Sequence, residues 1–208
     1  STTIGGVNLD IVPAAMFVGA NETFAASIGG DATVTWEWRK ASGPGNATIT
    51  FPNNATTQIQ VDAAGDYVFT AEASSSEPGL VGGSPNSQNT GTITASVPPV
   101  SIGTVTIDTA PTAMTVGAAE TFTASADGDA NVTWNWTKVS GPGTTTFGTQ
   151  TAATTTISVA RGGDYVFKAT ASSTDAGLDD GPSQEASTAS ITVTGPVMAV
   201  TLVGTTST

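Results

Sequence analysis

The feature that most constrains this chain is an internal repeat, offset by 98 residues and running without a gap. Trp36-Glu37-Trp38 returns as Trp134-Asn135-Trp136, and Ser42-Gly43-Pro44-Gly45 as Ser140-Gly141-Pro142-Gly143. Gly65-Asp66-Tyr67-Val68-Phe69 returns as Gly163-Asp164-Tyr165-Val166-Phe167. The 208 residues therefore divide into two domains of about 100 residues each, a size at which one sandwich core is viable. The expected boundaries are residues 1–99 and 100–197, followed by a C-terminal segment, 198–208.

Within each copy, short stretches alternate between apolar and polar residues at intervals typical of an all-β sandwich or barrel. In copy one they run over residues 7–11, 22–27, 33–39, 47–51, 57–61, 66–73 and 90–96, which predicts about seven strands. In the third, Val34, Trp36 and Trp38 share one face and Thr33, Thr35, Glu37 and Arg39 the other, so the tryptophans are assigned to the core. Tyr67, Phe69, Ala71 and Ala73 form the matching face of the sixth. Leu9, Phe24, Ala26, Ile59, Val61 and Ile93 complete this core, and Ile107, Phe122, Ala124, Ile157, Val159 and Ile191 that of copy two. Thr, Ser, Ala, Gly and Val dominate, which suits strands and turns over long helices.

Charge and missing residue types exclude much. The net charge is −12, from 5 Lys and Arg against 17 Asp and Glu, which repels nucleic acid and anionic lipid. With no His and no Cys, imidazole or thiolate nucleophiles, imidazole or thiolate metal sites and disulfides are unavailable. The carboxylates fall in predicted turns and on wet faces with no convergent pair. The Gly-rich segments Gly82-Gly83 and Gly162-Gly163 lack the helix and lysine of a phosphate loop. The nearest approach to a calcium loop, Asp175, Asp179 and Asp180, reads as an ordinary acidic loop, as do Asp31, Asp127 and Asp129 beside glycines. No catalytic, cofactor-binding or metal-ligating residue, no cofactor and no enzymatic activity is expected.

No apolar run is long enough to span a membrane. Ser1 fits either removal of an initiator Met, which is the expectation, or cleavage of a leader. Five Asn-x-Thr sequons, at Asn21, Asn46, Asn54, Asn131 and Asn135, matter only in an exported chain. The prolines of Val97-Pro98-Pro99-Val100 and Gly195-Pro196-Val197 stiffen the exits of the copies, which predicts a rod-like spacer. Met198-Ala199-Val200-Thr201-Leu202-Val203 alternates like Thr104-Val105-Thr106-Ile107, the opening of copy two. Such a strand either pairs with its own sandwich or adds to the sheet edge of a neighbouring copy.

The pattern Trp-x-Trp-x-Lys-x-Ser-Gly-Pro-Gly followed by Gly-Asp-Tyr-Val-Phe resembles the polycystic-kidney-disease (PKD) type of immunoglobulin-like domain, over residues 5–97 and 103–195. The resemblance implies two antiparallel immunoglobulin-like sandwiches, with the Tyr67 and Tyr165 hydroxyls bonded to nearby backbone at a strand corner. An acidic, Thr-rich pair of such domains is also similar to the decoration and fibre proteins of tailed phages. That similarity implies a non-enzymatic display protein on the virion surface, with shell or tail proteins as partners. The alternatives are a secreted cell-surface or filament subunit joined to copies of itself through residues 198–208, and a glycan-binding module using Trp or loop residues on a host surface.

Overall fold

The computed structural model describes residues 1–195, so the segment 198–208 lies outside the described residues. The described residues form two compact units, the first Ser1–Pro98 and the second beginning at Pro99. Their regular elements are all strands: β1 (Ile4–Ile11), β2 (Ala15–Phe17), β3 (Glu22–Gly30), β4 (Thr35–Ser42), β5 (Ala47–Ile49), β6 (Thr56–Val61), β7 (Gly65–Ser74), β8 (Asn86–Asn89) and β9 (Ile93–Ser96) in copy one. Copy two contains β10 (Val105–Thr109), β11 (Ala113–Thr115), β12 (Glu120–Ala126), β13 (Thr133–Ser140), β14 (Thr145–Phe147), β15 (Thr154–Val159), β16 (Gly163–Ser172), β17 (Ser183–Ser187) and β18 (Ile191–Thr194).

Copy one stacks a sheet of order β1-β3-β6-β5 against a second of order β2-β9-β7-β4, with β8 also on β7. Copy two repeats this as β10-β12-β15-β14 and β11-β18-β16-β13, with β17 on β16. Pairings between these strands are antiparallel except β2 with β9 and β11 with β18, and two isolated parallel bridges join Thr3 to Val81 and Val100 to Leu178. The parallel strand pairs arise because the first strand changes sheets. After β1 leaves β3, Pro13 withholds a ladder donor, the chain kinks, and Ala15–Phe17 pairs with Thr94–Ser96 of the other sheet. Pro111 occupies the same place in copy two.

Nine strand segments per copy replace the seven expected, for two physical reasons. β2 is three residues long and buries only Met16, too little to show a period. β8 reads Asn-Ser-Gln-Asn, and the ladder partners it finds on β7 give it strand geometry without an apolar pattern. The expected stretch 90–96 is shortened to β9 because the chain breaks at Thr90. There the buried Thr90 hydroxyl accepts the Phe69 amide while its own amide donates to the Phe69 carbonyl, and Thr188 does the same with Phe167.

The cores fall where the alternation put them. Phe24, Trp38 and Phe69 meet edge to face at 5.3–5.9 Å, and Phe122, Trp136 and Phe167 at 5.4–5.9 Å. Each ring so buried contributes about 1.5–3 kcal/mol, and the edge-on geometry adds about 0.5–1.5 kcal/mol per pair. The four-residue turn after β4 is locked onto this core. Gly43 has φ of 133°, and a Cβ there would run into the Tyr67 ring, so only glycine fits. The Lys40 ammonium donates to the Gly43 and Gly45 carbonyls at 3.2 and 2.5 Å, and Lys138 repeats this with Gly141 and Gly143.

Candidate functional site

The sequence motifs turn out to be structural fixtures. The Tyr67 hydroxyl donates to the Ala63 carbonyl at 2.8 Å and the Tyr165 hydroxyl to that of Arg161 at 2.9 Å, as the resemblance implied. Burial raises the Tyr67 hydroxyl above its ordinary pKa, with the nearby Asp62 adding to the effect. Trp38 and Trp136 are 2% and 0% exposed, and their indole N–H groups donate to the Asn54 and Ala152 carbonyls, both at 3.0 Å.

Trp36 and Trp134 depart from the expectation. They lie on the core face but are only half-buried, each at the second position of its strand, two residues nearer the strand start than the buried Trp38 and Trp136. A shallow groove of about 490 Å³ runs beside Trp36, between Val34, Glu37, Asn53 and Ser74. It follows the free side of edge strand β4, whose next residue along that side, Trp38, already donates its amide to the Pro52 carbonyl.

The acidic loop residues serve as caps for backbone amides. Asp31 accepts the Thr3 amide at 2.6 Å and the Thr3 hydroxyl at 3.0 Å, and these bonds lower its pKa. Glu77 accepts the Thr33 amide at 2.9 Å and is held low by its hydrogen bonds with Thr33; Asp62 accepts the Asn46 amide at 2.6 Å and is also lowered. In copy two, Asp175 accepts the Asn131 amide at 2.7 Å, while Asp180 accepts those of Ile102 at 3.1 Å and Gly103 at 2.8 Å. Asp127 and Asp129 accept the Thr104 and Ser101 amides at 2.5 and 2.8 Å. Among the described residues no group of three His, Cys, Asp or Glu side chains is placed to hold a metal ion. No helix of the described residues is long and apolar enough to cross a membrane.

All five sequon asparagines are exposed, and the side-chain amides of Asn46 and Asn131 donate to Asp62 at 3.0 Å and Asp175 at 3.2 Å.

What sequence reasoning missed is a difference between the copies. Ile11, Phe17 and Phe51 are about half exposed in copy one, at 50%, 46% and 51%, and Val81 and Val97 are also exposed. The residues 98 positions on are Thr109, Thr115, Thr149, Asp179 and Gly195, all open to solvent as well. The fold thus leaves these five places uncovered in both copies, and only copy one fills them with apolar side chains. The gapless repeat held this signal: subtracting one copy from the other exposes it.

The sheet order defines a class of fold: two tandem immunoglobulin-like β-sandwich modules. More particularly, residues 106–182, within copy two, match the model of the family described as K319L-like, PKD domain. No curated protein matches the chain in sequence. Among solved structures, the fibronectin(III)-like modules of Clostridium thermocellum CbhA are 17% identical, over 91% of this chain and 94% of that one, with a TM-score of 0.32. The tandem Ig repeats of Dlar are 17% identical, over 92% and 98%, with a TM-score of 0.28. The PKD domain from the KIAA 1837 protein is 20% identical, over 44% and 89%, with a TM-score of 0.32. At such scores the fold assignment rests on this chain's own sheet order and on the family match.

Proposed function

We propose that this chain is a non-enzymatic display module of a virion surface, fixed to a shell or tail protein through copy one and exposing copy two. The observation that carries the division of labour is the set of apolar residues Ile11, Phe17 and Phe51, replaced by Thr109, Thr115 and Thr149 in copy two. Each is an apolar side chain that the fold leaves about half in water and that a covering partner would remove from it. Copy two has threonines at those places and aspartates around its first loops, and its exposed large apolar side chain among the described residues is Val139, at 57%. The placement on a virion rests on the similarity of an acidic, Thr-rich pair of such domains to phage decoration and fibre proteins.

The test is to fractionate the native source on a density gradient and locate the chain by mass spectrometry. Banding with DNA-containing particles is the expected result. Banding with cell envelope or with free filaments would overturn the virion assignment and leave the cell-surface or filament reading.

A further inference from the structure

The tryptophan strands β4 and β13 both end their sheets, with β7 and β16 on one side only. Their free sides differ. In copy two the Trp136 amide donates to the Gln150 carbonyl at 3.0 Å, and the Gln150 side chain donates back to the Trp136 carbonyl at 2.8 Å. Pro52 holds that place in copy one; its carbonyl takes the Trp38 amide at 2.8 Å, but its ring has no donor to return. In an antiparallel ladder the amide and carbonyl of one residue point the same way and alternate along the strand, so Trp36 turns its own pair outward as Trp38 does. The Trp36 amide and carbonyl and the Trp38 carbonyl thus form a row with no strand beside it, along the groove lined by Val34, Trp36, Glu37 and Asn53. Charge singles out the same edge. Glu37 stands directly opposite Glu72, a like-charge pairing that costs stability. Arg39 satisfies Glu72 at 2.9 Å, and among the described residues no cation lies within ion-pair distance of Glu37. Copy two has the neutral pair Asn135 and Thr170 there.

We propose that the β4 edge of copy one takes an extended segment of the attachment partner as an added strand, with a Lys or Arg of that segment against Glu37. A row of unpaired backbone groups is matched by another extended backbone. Opposite the new strand Glu37 falls in a non-hydrogen-bonded pair, the kind that brings facing side chains closest, and a cation there offsets the repulsion from Glu72. The segment's residues opposite Trp36 and Trp38 point to the other face, where apolar side chains cover the half-buried Trp36. Phe51 directly precedes Pro52, so the edge continues the exposed apolar surface of copy one. The inference rests on attachment through copy one and adds how the partner is held.

Two measurements on the whole chain test this. In rebinding to particles stripped of the protein, Glu37→Lys should weaken affinity on the order of tenfold by placing like charges across the new pair, whereas Asn135→Lys at the matching place of copy two should rebind normally. Glu37→Lys also removes the repulsion from Glu72, so its melting temperature should not fall. Independently of any particle, the isotope-labelled chain would be titrated with the peptide acetyl-Thr-Val-Lys-Val-Thr-amide and with its Glu analogue, and amide shifts read by NMR. The Lys peptide should shift the Trp36 and Glu37 amides and bind on the order of tenfold more tightly than the Glu peptide, with Trp134 and Asn135 unmoved. Rebinding by Glu37→Lys as strong as that of the wild type, an equal response to both peptides, or no response to either, would overturn the proposal. Wild-type chain that does not rebind would instead sink the virion reading, and the peptide titration would still judge the edge. Concentration-dependent shifts at Trp36 without peptide would make the occupant a second copy of this chain and overturn its assignment to a partner.

Discussion

The two copies differ least where they are driest and most where the chain begins each sandwich and meets solvent. Phe24, Trp38, Tyr67 and Phe69 have counterparts in Phe122, Trp136, Tyr165 and Phe167 with the same ring geometry to within a few degrees and tenths of an ångström. Ion pairs are not shared: Arg39 meets Glu72 at 2.9 Å in copy one, whereas copy two has threonines at both places and joins Lys168 to Glu185 instead. Close packing penalises change in a core, because every substitution leaves a void or a clash. Surface pairs contribute little and drift freely. The divergence at Ile11, Phe17, Phe51 and the first loops thus falls where close packing does not penalise change.

The strongest way to break this comparison is at the cores. Phe69→Ala and Phe167→Ala should each destabilise their own domain by about 3–5 kcal/mol, and by similar amounts, in denaturant unfolding followed by tryptophan fluorescence. A gap of more than about 2 kcal/mol between them would show that the cores are not equivalent. A reciprocal swap sharpens the difference at the first strands. Gly82→Asp should cost copy one about 1–3 kcal/mol through its positive φ and the Ile4 carbonyl, and Asp180→Gly should cost copy two a similar amount by stranding the Ile102 and Gly103 amides. Either swap leaving the unfolding midpoint unmoved would mean that backbone and carboxylate anchors are interchangeable at these positions.

Much of this was legible in the chain itself. The tryptophan strand read out directly from its alternation, and the tyrosine corner followed from the family resemblance carried by Gly-Asp-Tyr-Val-Phe. β2 and β8 did not, since three residues cannot display a period and Asn86–Asn89 is a strand only by virtue of its neighbour. Alternation named the face of Trp36 but not its depth, which depends on how far along the sandwich it sits. The aspartates read as loop charge because a sequence shows carboxylates without showing which amides lie within reach.

Smaller effects follow from titration and from the surface. The carboxyls of Asp31, Asp62 and Glu77 are held below their ordinary values of 3.8, 3.8 and 4.5 by hydrogen bonds to the ionised form. Groups depressed in the folded state add stability that is complete above the ordinary values and is lost as the pH falls through the lowered ones. The melting temperature of copy one should accordingly drop below about pH 4.5, modestly because these groups are exposed, and the drop should shrink in an Asp31→Asn variant. A melting temperature that does not fall there would remove these caps from the account. Smallest of all, replacing Ile11, Phe17 and Phe51 with the threonines of copy two should change stability by no more than about 0.5 kcal/mol per site, because each side chain is about half in water already. A larger loss in thermal unfolding would mean that these side chains serve the fold.

That triple substitution also bears most directly on the division of labour between the copies. Purified chain, wild type or carrying Ile11→Thr, Phe17→Thr and Phe51→Thr, would be mixed with native particles stripped of the protein, and rebinding read by co-sedimentation. We expect the wild type to rebind and the folded triple variant to stay in solution, while Asp179→Asn in copy two rebinds normally. Full rebinding by the triple variant would contradict attachment through copy one.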